Sequence, residues 1–231
     1  MKKYVQFGSK LIEYSLVLTK RKSLGITVTP EMDVIVKAPL DASLERINTI
    51  VHKRAPWILK QQSFFLAFFP KQPPKKYISG ETHLYLGRQY RLKVRTGKKE
   101  IVRISGKFLE VTSRDKSRAR VVLKQWYYRQ ASIKFDFYAQ EWIEKFDRYK
   151  VAPNAIVLRS MKKRWGSCTA SKKIILNPEL IKASKGCIEY VIVHELCHLV
   201  HHHHNQKFLD LQTKVMPNWE RWKNRLEHLL A

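Results

Sequence analysis

Acidic residues are scarce in this chain of 231 residues: 19 Asp and Glu stand against 45 Lys and Arg, for a formal charge of +26. A field of that sign attracts polyanions, whether nucleic acid, an acidic membrane surface or an acidic protein. The basic residues are spread along the whole chain with no dense tail, as a solvated basic surface would also be. Cysteine is scarce as well. Cys168, Cys187 and Cys197 are odd in number and contain no Cys-x-x-Cys pair. That excludes a disulfide framework, argues against a Cys-rich structural zinc site, and suits a reducing cytoplasm. No run approaches the roughly 18 apolar residues of a membrane span; Phe64 to Pro70 is the greasiest and far too short. The start, Met1-Lys2-Lys3-Tyr4-Val5, lacks the apolar stretch of a signal peptide, so the expected compartment is the cytoplasm. A glycine-rich phosphate loop is also missing, which weighs against a nucleotide site of the common kind.

What is present reads as an α+β chain, long enough for one large or two small domains. Residues 11–38 form three short apolar segments, Leu11–Leu18, Leu24–Thr29 and Val34–Ala38. Their β-branched content and the turn residues Pro30 to Asp33 predict three strands in a meander. Ser43 is placed to cap a helix bearing Leu44, Ile47, Ile50, Val51, Trp57 and Ile58, which should bend or break before Pro56. Pro70 to Lys76 is the most linker-like stretch. Beyond it, Tyr77–Glu81, His83–Gly87, Tyr90–Val94, Ile101–Ile104 and Phe108–Thr112 suggest further strands. From Ser117 the apolar period becomes three to four through Val121, Leu123, Trp126, Ile133, Phe137, Trp142 and Phe146, arguing one long helix ended before Pro153. Ala155–Ser160 and Lys173–Asn177 flank Arg164 to Cys168 as strand, turn and strand, and helical segments follow to the C-terminus. No internal repeat is visible in the sequence. The expected division is a β-rich module with one helix over 1–116 and a mainly helical domain with a small antiparallel sheet over 117–231.

The chemistry concentrates in Tyr190 to Leu199, which reads His194-Glu195-Leu196-Cys197-His198 inside an apolar helical run. Residues four apart share a helix face, so His194 and His198 can aim two imidazole nitrogens at one ion, at roughly 2.0–2.1 Å each. Glu195 leaves the helix about 100° round from His194. It stands beside such an ion, where a carboxylate can take a proton from water that zinc has acidified to a pKa of about 7. The spacing is that of a zinc hydrolase helix. A catalytic zinc needs a third protein ligand and an open position, and His201, His202, His203 and His204 compete for that place. On a straight helix His201 would sit about 10 Å along the axis from His194, too far to converge. His204, six residues after His198, leaves room for the chain to fold back and is the preferred third ligand. Chance occurrence on a buried amphipathic helix is the alternative, but a buried helix should not carry these polar groups without partners. Cys197 should point away from the ion as a small core residue. A ligand histidine ordinarily donates its second N–H to a carboxylate or carbonyl, and Glu189 and Asp210 are candidates.

Three motifs together resemble the YgjP-like metallopeptidases, relatives of the SprT-like zinc proteases. They are Arg164-Trp165-Gly166-Ser167-Cys168, then Ile175-Leu176-Asn177-Pro178 with Leu180, then His194 to Leu199 with His204 and Phe208 behind it. Val36 to Pro39, Trp57-Ile58, Gly80-Glu81 and Tyr85 to Gly87 extend the likeness over nearly the whole chain. Two positions depart from the family pattern: His203 stands where Asn is usual and Asn205 where Ser is usual. The resemblance implies a zincin-like C-terminal part holding one zinc ion per chain through His194, His198 and His204, with Glu195 as general base. It also implies a sheet edge beside the metal on which an extended peptide can be laid. In that frame the strand around Ile174 to Asn177 would offer the unpaired backbone groups. Arg164 would either stabilise developing charge or brace its turn, with bracing preferred, and Trp165 belongs to the core more than to a substrate platform.

Three functions compete. The first is a zinc-dependent peptidase acting on a peptide or protein substrate. The second is a metal-dependent hydrolase of a phosphoanhydride or other anionic substrate, motivated by the charge. The third is a nucleic-acid-binding module whose metal is structural, and an intermediate form is a peptidase that works on proteins bound to nucleic acid.

Overall fold

Apolar residues alternating with charged ones lay down the first hairpin, β1 (Lys2–Phe7) and β2 (Lys10–Leu18), paired antiparallel from Lys2↔Ser15 to Phe7↔Lys10. The computed structural model describes residues 2–8, 10–29, 31–66, 75–161 and 164–230. The chain falls into two compact units, residues 1–73 and 74–231. The linker-like stretch beginning at Pro70 straddles that division, and its residues up to 74 lie outside the described ones.

In the first unit β3 (Gly25–Val28) and β4 (Val34–Ala38) complete a sheet of order β1-β2-β4-β3. The segment is not a meander. The strand at Val34 passes its antiparallel partner β3 and pairs parallel with β2. This buries Val36 and Ala38 completely, beside Ile12 and Tyr14. A single helix, α1 (Leu44–Leu66), covers that face with Ile47, Val51, Ala55 and Ile58. Ser43 caps it, its Oγ accepting from the Arg46 N–H at 3.3 Å. The expected break before Pro56 does not occur: the helix runs through it. Pro56 is exposed, so the missing N–H falls on the solvent side. Each apolar side chain buried opposite contributes about 1.5–3 kcal/mol, enough to offset that defect.

The second unit opens with the same plan. β5 (Thr82–Tyr85), β6 (Arg88–Thr96), β7 (Ile101–Ser105) and β8 (Phe108–Ser113) form a sheet of order β5-β6-β8-β7 with β6 and β8 parallel. It too is followed by one long helix, α2 (Ala119–Phe146). The pattern of four strands and a helix therefore occurs twice, a repeat of topology that the differing side chains conceal. Leu92, Leu109 and Val111 pack against Leu123, Phe135 and Phe146 of α2 in one core. The change of period near 117 thus marks the start of a helix within the second unit.

A third sheet, mixed and not purely antiparallel, has the order β10-β11-β9 from β9 (Ala155–Leu158), β10 (Gly166–Cys168) and β11 (Lys173–Leu176). Helices α3 (Lys185–Val200), α4 (Gln206–Val215) and α5 (Trp219–Leu230) close the chain. α3 is the buried axis of the unit and packs against α2, α4, α5 and β10. The β5–β6 turn pins its entry: Leu86 N–H donates to Ile181 O at 2.9 Å and Gly87 N–H to Lys182 O at 3.0 Å. Gly87 has φ +77°, and a side chain there would meet Ser184, the residue before α3, at 2.9 Å. Both facts require glycine.

Candidate metal centre

Ile188, Ile192, Val193 and Leu196 anchor α3 in the core, all of them completely buried. That fixes the opposite face, on which His194 and His198 stack one turn apart. The helix ends at His201, whose backbone is extended and whose N–H still bonds to Cys197 O at 2.9 Å. α4 starts at once, capped by Asn205, whose Oδ1 accepts from Phe208 N–H at 3.0 Å. The departure from Ser at 205 therefore keeps a side-chain oxygen where the helix needs one. The reversal between the two helices carries His204 back over α3.

The structure brings His194, His198 and His204 together, with one ring nitrogen of each within 4.8 Å of the others. The Nε2 atoms of His194 and His204 are 3.0 Å apart. Two ligands at 2.0–2.1 Å from a tetrahedral ion are separated by about 3.3 Å, so the spacing suits one. Phe208, fully buried, lies under all three rings with centroid distances of 5.0, 4.7 and 4.8 Å. His201, His202 and His203 are not in the cluster.

Two of the three rings are oriented from behind. His194 Nδ1–H donates to Gln212 Oε1 at 2.9 Å, and His198 Nδ1–H to the carbonyl of His201 at 3.3 Å. Each bond puts the proton on Nδ1 and leaves Nε2 with its lone pair. Burial pushes the His194 pKa down to about 4 and lowers that of His198, so both rings are neutral near pH 7. The carboxylates Glu189 and Asp210 do not serve here. Glu189 pairs with Lys185 at 3.4 Å and Asp210 accepts from Gln206 at 2.8 Å, each on its own helix. Gln212 was missed in the sequence. Its only signal is an uncharged polar residue on the apolar face of α4, four after Phe208.

Glu195 is 5% exposed. Desolvation lifts its pKa to about 7, against the pull of the Cys168 N–H and the Arg164 charge. Gly166 makes room for it: a Cβ there would stand 2.5 Å from Glu195 Oε1. Among the described residues the strand at the edge of the sheet here is β10. β11, expected from Ile174 to Asn177 to offer unpaired groups, is the central strand and is bonded on both sides. Trp165 O accepts from Asn177 N–H and Thr169 N–H donates to Lys173 O, both at 2.9 Å. Alternation along an antiparallel strand then turns the Gly166 and Cys168 backbone groups away from β11, toward Glu195. A cleft of about 880 Å³ opens there, lined by Arg164 to Ala170, Tyr190, Val191, Glu195 and four histidines, His202 beside the three of the cluster.

The model of the family described as YgjP-like, metallopeptidase domain, matches residues 22–229. The chain belongs to the YgjP-like metallopeptidase family. It is accordingly a hydrolase whose substrate is a peptide or protein. No curated protein matches the chain. Among the described residues no helix is long and apolar enough to cross a membrane.

Within this YgjP-like domain the remaining motif residues take separate places. Asn177 is 3% exposed and ties the loop ahead of β10. Its Nδ2 donates to Met161 O at 2.8 Å and Arg164 O at 3.1 Å, while Oδ1 accepts from Glu179 N–H at 3.2 Å. The bracing expected of Arg164 thus comes from Asn177. The Arg164 side chain is exposed at the cleft, where its charge acts on Glu195, and makes no hydrogen bond or ion pair among the described residues. Trp165 is half-buried, packed on the core with one side forming cleft wall. Cys197 is completely buried, its thiol pushed up to about 12 by desolvation.

Proposed function

We propose that this protein is a zinc-dependent peptidase of the cytoplasm, with one zinc ion held by His194, His198 and His204. What supports the metal is the donor set: three imidazoles converging above Phe208, two of them fixed from behind by bonds that leave Nε2 with its lone pair. Three nitrogen ligands leave a position open, which is the catalytic pattern for zinc. A zinc ion there supplies Lewis acidity to the scissile carbonyl and to the attacking water.

The chain's own residues do the rest. The Gly166 N–H and the Gly166 and Cys168 carbonyls lie on the edge of β10 that β11 does not use, and an extended peptide adds to them as a further strand, while the Cys168 N–H holds Glu195. That lays the scissile bond along the cleft floor, beside Glu195. Burial holds the Glu195 carboxylate near the pKa at which a group both takes and returns a proton around neutrality. It accepts the proton of the attacking water and delivers it to the leaving amine. Arg164, whose charge also acts on Glu195, offers its exposed guanidinium to a substrate carboxylate at the cleft rim. The three cysteines are free, which suits a reducing compartment.

The observation that carries this reading is a buried carboxylate adjoining three convergent imidazoles on a cleft with a free strand edge. Casein turnover should vanish on chelation and return with zinc. Turnover that survives complete metal removal would show that the chemistry lies elsewhere.

A further inference from the structure

The sheet β5-β6-β8-β7 has a face that the core does not use. Leu92, Leu109 and Val111 point inward and are completely buried. The residues between them point outward, and strand pairing sets them in rows. Arg91 lies beside Phe108, Lys93 beside Glu110 and Arg95 beside Thr112 across β6 and β8, with Arg103 of β7 on the other side of Glu110. Cations two residues apart on one strand stand about 6.6 Å from each other. At one end of the sheet the surface becomes concave. Lys98 and Arg114 line a hollow of about 610 Å³, and Lys98, Lys99, Arg114 and Arg118, with the acid Glu100 among them, line an adjoining one of about 830 Å³.

Between Arg88 and Arg120 the acids are Glu100, Glu110 and Asp115, and all are engaged. Glu100 holds Arg118 at 2.6 Å, Glu110 is shared by Lys93 and Arg95 at 3.8 and 3.5 Å, and Asp115 accepts from Ser117 N–H at 3.3 Å. Among the described residues Arg91, Lys98, Lys99, Arg103 and Arg114 have no ion pair. Like charges adjacent on a sheet face repel and destabilise it, and a surface shaped for solubility alone would intersperse the two signs. An anion with many charges would relieve that repulsion.

We propose that this face binds the phosphodiester backbone of nucleic acid without reading its sequence. Arginine forks match phosphate oxygens bidentately, and a row of them tracks a strand of phosphates. Phe108, the aromatic residue of the row, lies under Lys93 Nζ at 3.5 Å from the ring centroid. No ring therefore stands free to stack on a base or to insert among acyl chains, which disfavours both sequence readout and a lipid surface. The inference locates on one sheet the partner that the overall charge leaves unplaced, and it holds whether or not the chain cleaves peptides.

The test is binding of a short labelled DNA duplex of mixed sequence across about 50–200 mM salt. The wild-type chain is compared with the triple variant Arg91→Gln, Arg95→Gln, Arg103→Gln. A control, Lys10→Gln, Lys20→Gln, Lys53→Gln, removes the same charge from exposed positions of the first unit. Three lost phosphate contacts should lower the slope of log K against log salt by about 2.7 and weaken binding about tenfold or more, with little change in the control. Replacing the same three arginines by lysine should keep most of the affinity, which separates lost charge from lost fold. The proposal is overturned if the wild type fails to bind at the lowest salt, or if the control loses as much as the sheet variant. It is overturned equally if the sheet variant loses binding to anionic lipid vesicles while keeping its affinity for DNA.

Discussion

Gln212 holds His194 in the tautomer that points Nε2 at the other two imidazoles. Gln212→Leu keeps the volume and removes the acceptor, leaving a ring free to rotate. Zinc affinity should fall about 10–100-fold, measured by competition with a chromogenic chelator, while the unfolding curve of the metal-free chain shifts little. The pair His194 and His198 is legible in the sequence because a four-residue spacing has one geometric meaning on a helix. His204 follows from counting how much chain a reversal needs. Gln212 is not legible, because its distance of 18 residues from His194 acquires meaning only once α4 has packed on α3. The same holds for Arg164 and Asn177: sequence proximity to the motif names both, but only the folded loop assigns the bracing to Asn177.

Two elements set the substrate side and the ligand side of the cleft. β10 must pass within van der Waals contact of Glu195, and Gly166 is the point of approach. Gly166→Ala places a methyl on the carboxylate, so either the strand or Glu195 has to move. We expect a loss of about 1–3 kcal/mol in stability and a sharp fall in kcat with the metal still bound. Unaltered kcat would mean that the edge of β10 is not where the peptide lies. α4 holds Phe208 and Gln212 in place through its Asn205 cap. Asn205→Ala should lower stability by about 0.5–2 kcal/mol in denaturant titration, whereas Asn205→Ser should be close to neutral. Sequence periodicity finds the long helices and most strands. It fails where a pairing skips a neighbour, as β4 does in joining β2, and where packing overrules a local breaker, as at Pro56. The twice-used pattern of four strands and a helix is hidden for a related reason, since topology depends on which edges meet and not on which side chains recur.

The whole molecule carries two independent chemical features, a cluster of three histidines and a sheet face dense with positive charge. On the proposed function, the first should tie stability to the metal. With free zinc about 100-fold above Kd, binding adds about 2.7 kcal/mol, equivalent to roughly a 5–10 °C rise in Tm for a chain of this size. Calorimetry with and without chelator should show that rise, and His204→Ala should lose most of it. The second feature is visible in the sequence only as an excess of Lys and Arg. The strand register is what gathers Arg91, Arg95 and Arg103 onto one face and makes the excess a surface with a position.

The central claim is that Glu195 moves the proton for a zinc ion held by the three histidines, and one comparison tests it most directly. Wild type and Glu195→Gln are purified in parallel, and their zinc content and peptide turnover are measured on the same samples. One zinc per chain in both, with turnover reduced about 10²–10⁴-fold in the variant, is the predicted result. Zinc-free wild type, or a Glu195→Gln chain that cleaves at the wild-type rate, would contradict it.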